Sequence, residues 1–253
     1  MVPSKISLRV LSFNVWGDGE DASVRWPLIA RSIAKWAPDF AGLQEVFQKE
    51  QLDLLKSAAS FSNAYIPPHK TGLGLLTHGI IEEKNSFMLP FSPLEEYRRH
   101  MIFARVRFKS FAFNFFNTHL SWKPEDENTR KVQCDAALGF IRSQMPADLD
   151  ILTGDLNAVE SSPSIQLLLS YFKDTFRAAN PVERGLTWSR RNKYVLREPD
   201  LPERRIDYCL IGGRLRDRIR IVRSSVVFDE QVENYWISDH FGMCSDLEFE
   251  REV

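Results

Sequence analysis

Asn14, Glu45, His119, Asp155, Asn157, Asp207, Asp239 and His240 each fall at or near the end of an apolar run. In ILTGDLN, residues 151–157, an acid and an amide stand one residue apart just before a new helical pattern. Carboxylate and carbonyl oxygens are what a hard divalent ion such as Mg2+ takes as ligands, and imidazoles beside carboxylates move protons near neutral pH. Singly, these residues have structural explanations. GDLN reads as an Asx-type turn feeding a helix, Glu45 as a solvated strand end, Asp207 as a partner for Arg204 or Arg205, and His119 as a core histidine sharing its strand face with Phe113 and Phe115. The chemistry rests on the set, provided the chain gathers it.

The elements that must do the gathering alternate between strand and helix. Residues 6–15 place Ile6, Leu8 and Val10 against polar positions and then turn apolar, the pattern of a strand entering a buried sheet, and that strand delivers Asn14. Trp26, Ile29, Ile33 and Trp36 recur at helical steps, and Pro38 closes that segment. Residues 40–46 form a short strand with Glu45 at its end, and 49–58 resume helical spacing. Strands follow at 72–78, 101–108 and 111–120, the last ending near His119. Residues 124–145 carry acids in the first turn and apolar residues at helical intervals, and Ser162 with Pro163 has the form of an N-cap and first helical residue for 164–172. The last third gives strands at 205–211, 219–228 and 240–249. Strands joined partly by helices and partly by hairpins predict an α/β fold, a two-sheet β-sandwich flanked by helices, in which strand ends collect on one rim.

Composition agrees with one domain over residues 1–253. The chain is 43% hydrophobic and 26% charged, with a formal net charge of -1, which suits a globular protein and not one that coats nucleic acid by bulk charge. Cys134, Cys209 and Cys244 are odd in number, widely spaced and set among apolar residues, so they read as core thiols and not as a disulfide frame or zinc knuckle. No apolar segment approaches the roughly 20 residues of a membrane span, and the first residues lack the apolar stretch of a secretory signal. A cytoplasmic monomer without a transmembrane segment is the expectation.

The segments LSFNVWG, LQEV, TGLGLLTHGII, NTHLSW, TGDLNAVESSP, RIDYCLI and SDHFGM, in that order, resemble the endonuclease/exonuclease/phosphatase superfamily along the whole chain. The resemblance implies the DNase I-like four-layer sandwich and metal-assisted attack of water on a phosphodiester, with Mg2+ as cofactor and Mn2+ as substitute. On that footing Glu45 is the main metal ligand, Asn14 completes or orients the metal shell, and Asp239 is a second carboxylate. Asp155 positions and deprotonates the nucleophile, and Asn157 donates to phosphate. His119 and His240 contact the phosphate from opposite sides, with Asp207 orienting His240.

Locally, FNVWG, NTHL and residues 187–208 are more similar to neutral sphingomyelinase relatives than to abasic-site endonucleases, which usually carry tyrosine at the His119 position. No long hydrophobic hairpin accompanies that likeness. Nucleic acid, a phospholipid headgroup and a small diester therefore stay open as substrates, with Arg98 and Trp188 as substrate-binding candidates. Basic residues crowd 184–223 and 98–100; a solvated face with nearby acids competes with a rim that steers polyanions. Arg130 and Gln133, one turn apart, are expected to brace the loop carrying His119. A phosphomonoesterase of the inositol phosphatase type is the nearest alternative, and a catalytically silent binding protein the next. A serine hydrolase lacks its G-x-S-x-G turn.

Overall fold

The computed structural model describes residues 5–250. The first strand, β1 (Lys5–Asn14), turns Leu8 and Val10 to one face and Leu11 and Phe13 to the other, and all four are buried. Such a strand needs cover on both sides. Helix α1 (Ala22–Trp36) follows, then β2 (Phe40–Gln44), α2 (Lys49–Ala58), β3 (Asn63–Tyr65), β4 (Leu73–Thr77), β5 (Ile80–Met88), β6 (His100–Phe108) and β7 (Phe111–His119). The chain continues through α3 (Glu127–Ser143), β8 (Leu149–Asp155), α4 (Pro163–Leu169), β9 (Lys173–Asp174), α5 (Thr175–Ala179), β10 (Asp207–Gly212), β11 (Arg220–Val227) and β12 (Gly242–Glu250).

Two six-stranded sheets result, with strand orders β11-β12-β1-β2-β4-β3 and β5-β6-β7-β8-β10-β9. Between them lies a hydrocarbon layer to which both contribute, including Val10, Phe40, Phe113, Phe115, Leu149 and Ile151. Leu11, Phe13 and Leu43 face outward from the first sheet onto Ile29 and Ile33 of α1 and Leu52 and Leu55 of α2. Phe103, Phe116 and Leu152 of the second sheet pack on Leu138 and Ile141 of α3 and Ile165 of α4. This is the expected four-layer sandwich. At about 25 cal/mol per Å2 of apolar surface, it is these three layers that oppose the chain's conformational entropy.

The space between the sheets changes character along its length. On β1 the inward face runs Leu8, Val10, Ser12, Asn14, and on β7 it runs Phe113, Phe115, Asn117, His119; β8 continues it as Leu149, Ile151, Thr153, Asp155. In the middle tier the Gln44 amide donates to Asn117 Oδ1 at 2.6 Å, and the Asn117 amide donates to the carbonyls of Leu43 and Gly74 at 2.8 and 3.1 Å. Gly154 N–H crosses to Ser12 Oγ at 3.0 Å. Polar bonds thus stitch one sheet to the other under the rim, where the layer is tight. A Cβ on Gly42 would fall 1.9 Å from Thr153 Oγ1.

Most predicted elements are present, with differences in extent. The helix read over 164–172 stops at Leu169, and although Ser162 occupies its N-cap its side chain makes no capping bond. Strand β5, absent from the sequence reading, is an edge strand with Glu82, Glu83 and Lys84 exposed, so it lacks an apolar signal. The three cysteines are buried and free, as their surroundings suggested. Among the described residues, no helix is long and apolar enough to cross a membrane.

Candidate active site

Register assembles the rim. Strands β7 and β8 run parallel with His119 opposite Asp155, and β10 runs antiparallel to β8 with Asp207 opposite the same Asp155. Three chemically active residues from three segments therefore form one row. Across the gap, β1 ends at Asn14, whose amide donates to Asp155 Oδ2 at 3.0 Å and to Glu45 Oε1 at 3.1 Å. The Asn14 oxygen is already taken by the Trp16 N–H at 3.0 Å, so this amide faces the carboxylates as a donor and orients them.

Asp155 is the hub. Its Oδ1 accepts from Asn157 N–H at 3.1 Å, the Asx turn anticipated for GDLN, while its Oδ2 lies 3.3 Å from His119 Nε2 and 3.6 Å from His240 Nε2. Asn157 also donates from its side chain to Leu120 O at 3.2 Å, which ties the GDLN loop to the residue after His119. His240 Nδ1 meets Asp207 Oδ2 at 2.9 Å. Asp207 thus serves the histidine and not the neighbouring arginines, since Arg205 pairs with Asp174 and Glu160. Trp188 packs edge-on against the His240 ring, with centroids 4.9 Å apart. Glu45 and Asn157 both adopt positive φ, 61° and 50°, a strained backbone for side-chain-bearing residues that is commonly found at functional positions.

Electrostatics separate the two histidines. Burial and the nearby Arg99 guanidinium push the His119 pKa down to about 3, which leaves a neutral ring. Burial also opposes charge on His240, but Asp207, Asp155 and Asp239 outweigh it and push its pKa up to about 10. Burial and the adjacent Asp239 push Glu45 up to about 7, and burial raises Asp239 as well. Neither carboxylate has an ion pair with lysine or arginine among the described residues. Two crowded, half-buried carboxylates short of positive charge are a donor set that suits a hard divalent cation. Asp155, Asp207 and His240 also offer ligand atoms within 4.8 Å of one another. There, however, the hydrogen-bonded and charged imidazole fits proton handling better than metal ligation.

Supporting residues invisible in the motifs hold this arrangement. Arg25, fully buried, donates to four carbonyls, those of Val15, Trp16, Glu20 and Ile237, and so binds the loop after Asn14 to the loop before Asp239. Ser238 Oγ donates to Asn14 O at 2.7 Å, and the Asn192 amide holds the carbonyls of Ser238 and Asp239. Arg25 sits in an apolar helix pattern, which gives no hint of its targets. Arg130 and Gln133 do brace the loop after His119: Arg130 donates to Ser121, Lys123 and Pro124 carbonyls, and Gln133 bonds the Ser121 backbone and hydroxyl. Arg98 does not join the cluster and stacks over Phe91, 4.7 Å from its centroid. Arg99 beside it pairs with Glu95 at 2.8 Å.

Comparison with known proteins supplies the family and the fold. The model of the Endonuclease/Exonuclease/phosphatase family matches residues 11–240. Protein angel of Drosophila melanogaster is 24% identical across 85% of this chain and 69% of its own length. Truncated TDP2 of Caenorhabditis elegans superposes with a TM-score of 0.77 at 20% identity, covering 96% of this chain and 97% of that one. D. rerio TDP2 complexed with a single strand DNA product gives 0.80 at 19% identity, covering 95% and 98%. An endonuclease/exonuclease/phosphatase from Bacteroides vulgatus gives 0.77 at 19%, covering 97% and 100%.

Proposed function

Because the chain belongs to the endonuclease/exonuclease/phosphatase family, whose members are metal-dependent phosphoric ester hydrolases with the DNase I-like fold, we propose that it is a Mg2+-dependent phosphodiesterase. The observation that carries this reading is the convergence on Asp155 of Asn14, His119 and His240 from three other segments, with Asn157 of its own loop holding its second oxygen. Glu45 and Asp239 would hold a divalent ion, which would cancel charge on the phosphate oxygens.

The remaining work falls to the side chains. Asp155, with one oxygen held by the Asn157 N–H and the other by the Asn14 amide, is oriented to take a proton from attacking water. His240, charged and held in orientation by the bond from its Nδ1–H to Asp207, donates from Nε2 to a non-bridging oxygen on which charge grows in the transition state. His119, neutral, contributes a hydrogen bond from the other side of Asp155. Trp188 shapes the wall beside His240. All of this lies within a single catalytic domain.

The test is hydrolysis of bis(p-nitrophenyl) phosphate by pure protein. EDTA should abolish turnover and Mg2+ or Mn2+ should restore it, with a p-nitrophenyl phosphate monoester turned over far more slowly. Undiminished hydrolysis in EDTA removes the metal mechanism, and a preference for the monoester converts the reading to a phosphomonoesterase.

A further inference from the structure

The arginines of the 184–223 region are mostly neutralised. Arg191 faces Asp229, Arg197 faces Glu20, Arg205 faces Asp174, Arg214 faces Asp148 and Arg216 faces Asp217. Arg204 differs. No hydrogen bond or ion pair reaches its guanidinium among the described residues, and its Nε is buried without a partner. Burial lowers its proton affinity, with Asp155 and Asp207 near enough to pull the other way.

A second unpartnered donor stands beside it. Trp188 and Arg204 are opposite residues of an isolated antiparallel bridge, each N–H bonded to the other's carbonyl at 2.9 Å. Opposite residues of such a pair project from the same face with neighbouring Cβ atoms. Trp188 Nε1 is likewise buried and unpaired, while the indole ring rests against His240. Arg204 lines a cleft of about 470 Å3 together with Val159, Ser161, Arg184 and Leu186. The acids of that cleft are engaged elsewhere: Glu160 with Arg177 and Arg205, Glu203 with Ser189 Oγ and the Arg190 N–H. Arg204 thus brings positive charge to this cleft without an ion-pair partner among the described residues, and the Trp188 indole N–H, buried and unpaired, stands beside it on the bridge, with its ring against His240.

Buried donors without acceptors are costly, and an unpaired guanidinium more so, unless a ligand supplies the anion. We propose that Arg204 and the Trp188 indole N–H form a second phosphate site, which holds the phosphate next to the scissile diester of a nucleic-acid strand. The inference rests on the phosphodiesterase reading above and names its substrate class. Charge decides against a choline lipid, which carries one phosphate and a quaternary ammonium that an unpaired guanidinium repels. A strand offers further phosphates, and a guanidinium fork matches their oxygens.

The experiment compares TpT, a dinucleotide with one internal phosphate, with the same dinucleotide phosphorylated at its 5′ or 3′ end, using intact protein, Arg204→Lys and Arg204→Gln. Wild type should favour one phosphorylated form by about tenfold or more in kcat/KM, chiefly through KM, which corresponds to the strength of one charged phosphate contact. Arg204→Gln should bring that ratio near one, with Arg204→Lys between. Calorimetric binding in EDTA should show the same Arg204-dependent preference without turnover. Equal kcat/KM for the three dinucleotides in wild type, or a ratio unchanged in Arg204→Gln, overturns the second site while leaving the phosphodiesterase reading intact. Absence of hydrolysis on every diester, with Arg204-dependent binding retained in EDTA, defeats the enzymatic reading and leaves the phosphate site standing.

Discussion

His240 Nδ1 lies 2.9 Å from Asp207 Oδ2, and both side chains are buried, Asp207 at the start of β10 and His240 just before β12. An imidazole out of water loses its proton easily unless carboxylates hold the charge there, and Asp207, Asp155 and Asp239 do so. In the proposed mechanism the pair sets the alkaline limit of activity. His240 is raised from 6.5 to about 10, so its charged form, and the stability it contributes, is full below 6.5 and is lost as pH rises through about 10. Asp207→Asn removes the largest charge holding the proton. The basic limb of kcat/KM against pH should move acidward by about one unit or more in this variant, and an unmoved limb would exclude His240 as the proton carrier.

Glu45 gives a signature of the opposite kind. Its carboxyl is raised from 4.5 to about 7, so the metal-free folded state binds more protons than the unfolded chain between those values, and stability falls as pH rises across that window. Glu45→Gln abolishes this titration. In EDTA, the Tm of Glu45→Gln minus that of wild type should therefore climb from pH 4.5 to 7, by on the order of 5 °C, and level off above. Mg2+ should raise the wild-type Tm more at pH 8 than at pH 5, and should hardly raise that of the variant.

In the proposed mechanism Asp155 and His240 act on one transition state, so their removal should not add. Asp155→Asn and His240→Ala should each lower kcat by on the order of two decades or more, and the double variant should fall little below the worse single one. Losses that multiply in the double variant would mean that the two groups serve separate steps.

The polar tier beneath the rim predicts a dissociation between stability and activity. Asn117→Ala removes the side-chain donor to the carbonyls of Leu43 and Gly74 and the shortest acceptor of the Gln44 amide, which keeps only its longer bonds to Gly42 and Ser12, at a cost of about 1–3 kcal/mol for each group left dry. Phe113→Leu, in the hydrocarbon tier of the same strand, costs about as much through lost packing. At a temperature where both remain folded, Asn117→Ala should lower turnover by about tenfold or more, while Phe113→Leu should leave it within about twofold. Equal losses would mean that the site feels only global stability.

Much of this was legible before any coordinates. Asn14, Asp155 and Asp207 end or begin strongly apolar strands, and a polar group at such a place has few structural reasons to be there. Glu45 and Asp239 were equally visible, because short apolar runs stop at them. Residue patterning alone did not disclose pairing, and the contact of Asp207 with His240 was implied only by the family resemblance. Asp207 had Arg204 and Arg205 as nearer partners along the chain, and only the antiparallel register of β10 on β8 turns it toward His240. Arg25 was hidden for a related reason, since its acceptors are backbone carbonyls, which carry no residue identity. Strand β5 escaped because an edge strand with polar residues on both faces has no periodicity to read. Arg98 stands out in the sequence for its charge, and nothing there signals that its guanidinium stacks over Phe91.

The gradient between the sheets makes the protein an asymmetric bearing. At one end the facing surfaces are greasy, and dispersion contacts among Phe40, Phe113 and Phe115 resist separation more than sliding. At the other end directional bonds from Gln44, Asn117 and Gly154 allow a single relative setting of the two plates, as teeth index a ratchet. Shear introduced far from the rim, by repacking or by pressure, is then taken up before it arrives at Asn14 and Asp155, which belong to different plates. The chain can accumulate changes in its hydrophobic end without losing alignment of the groups that span the gap.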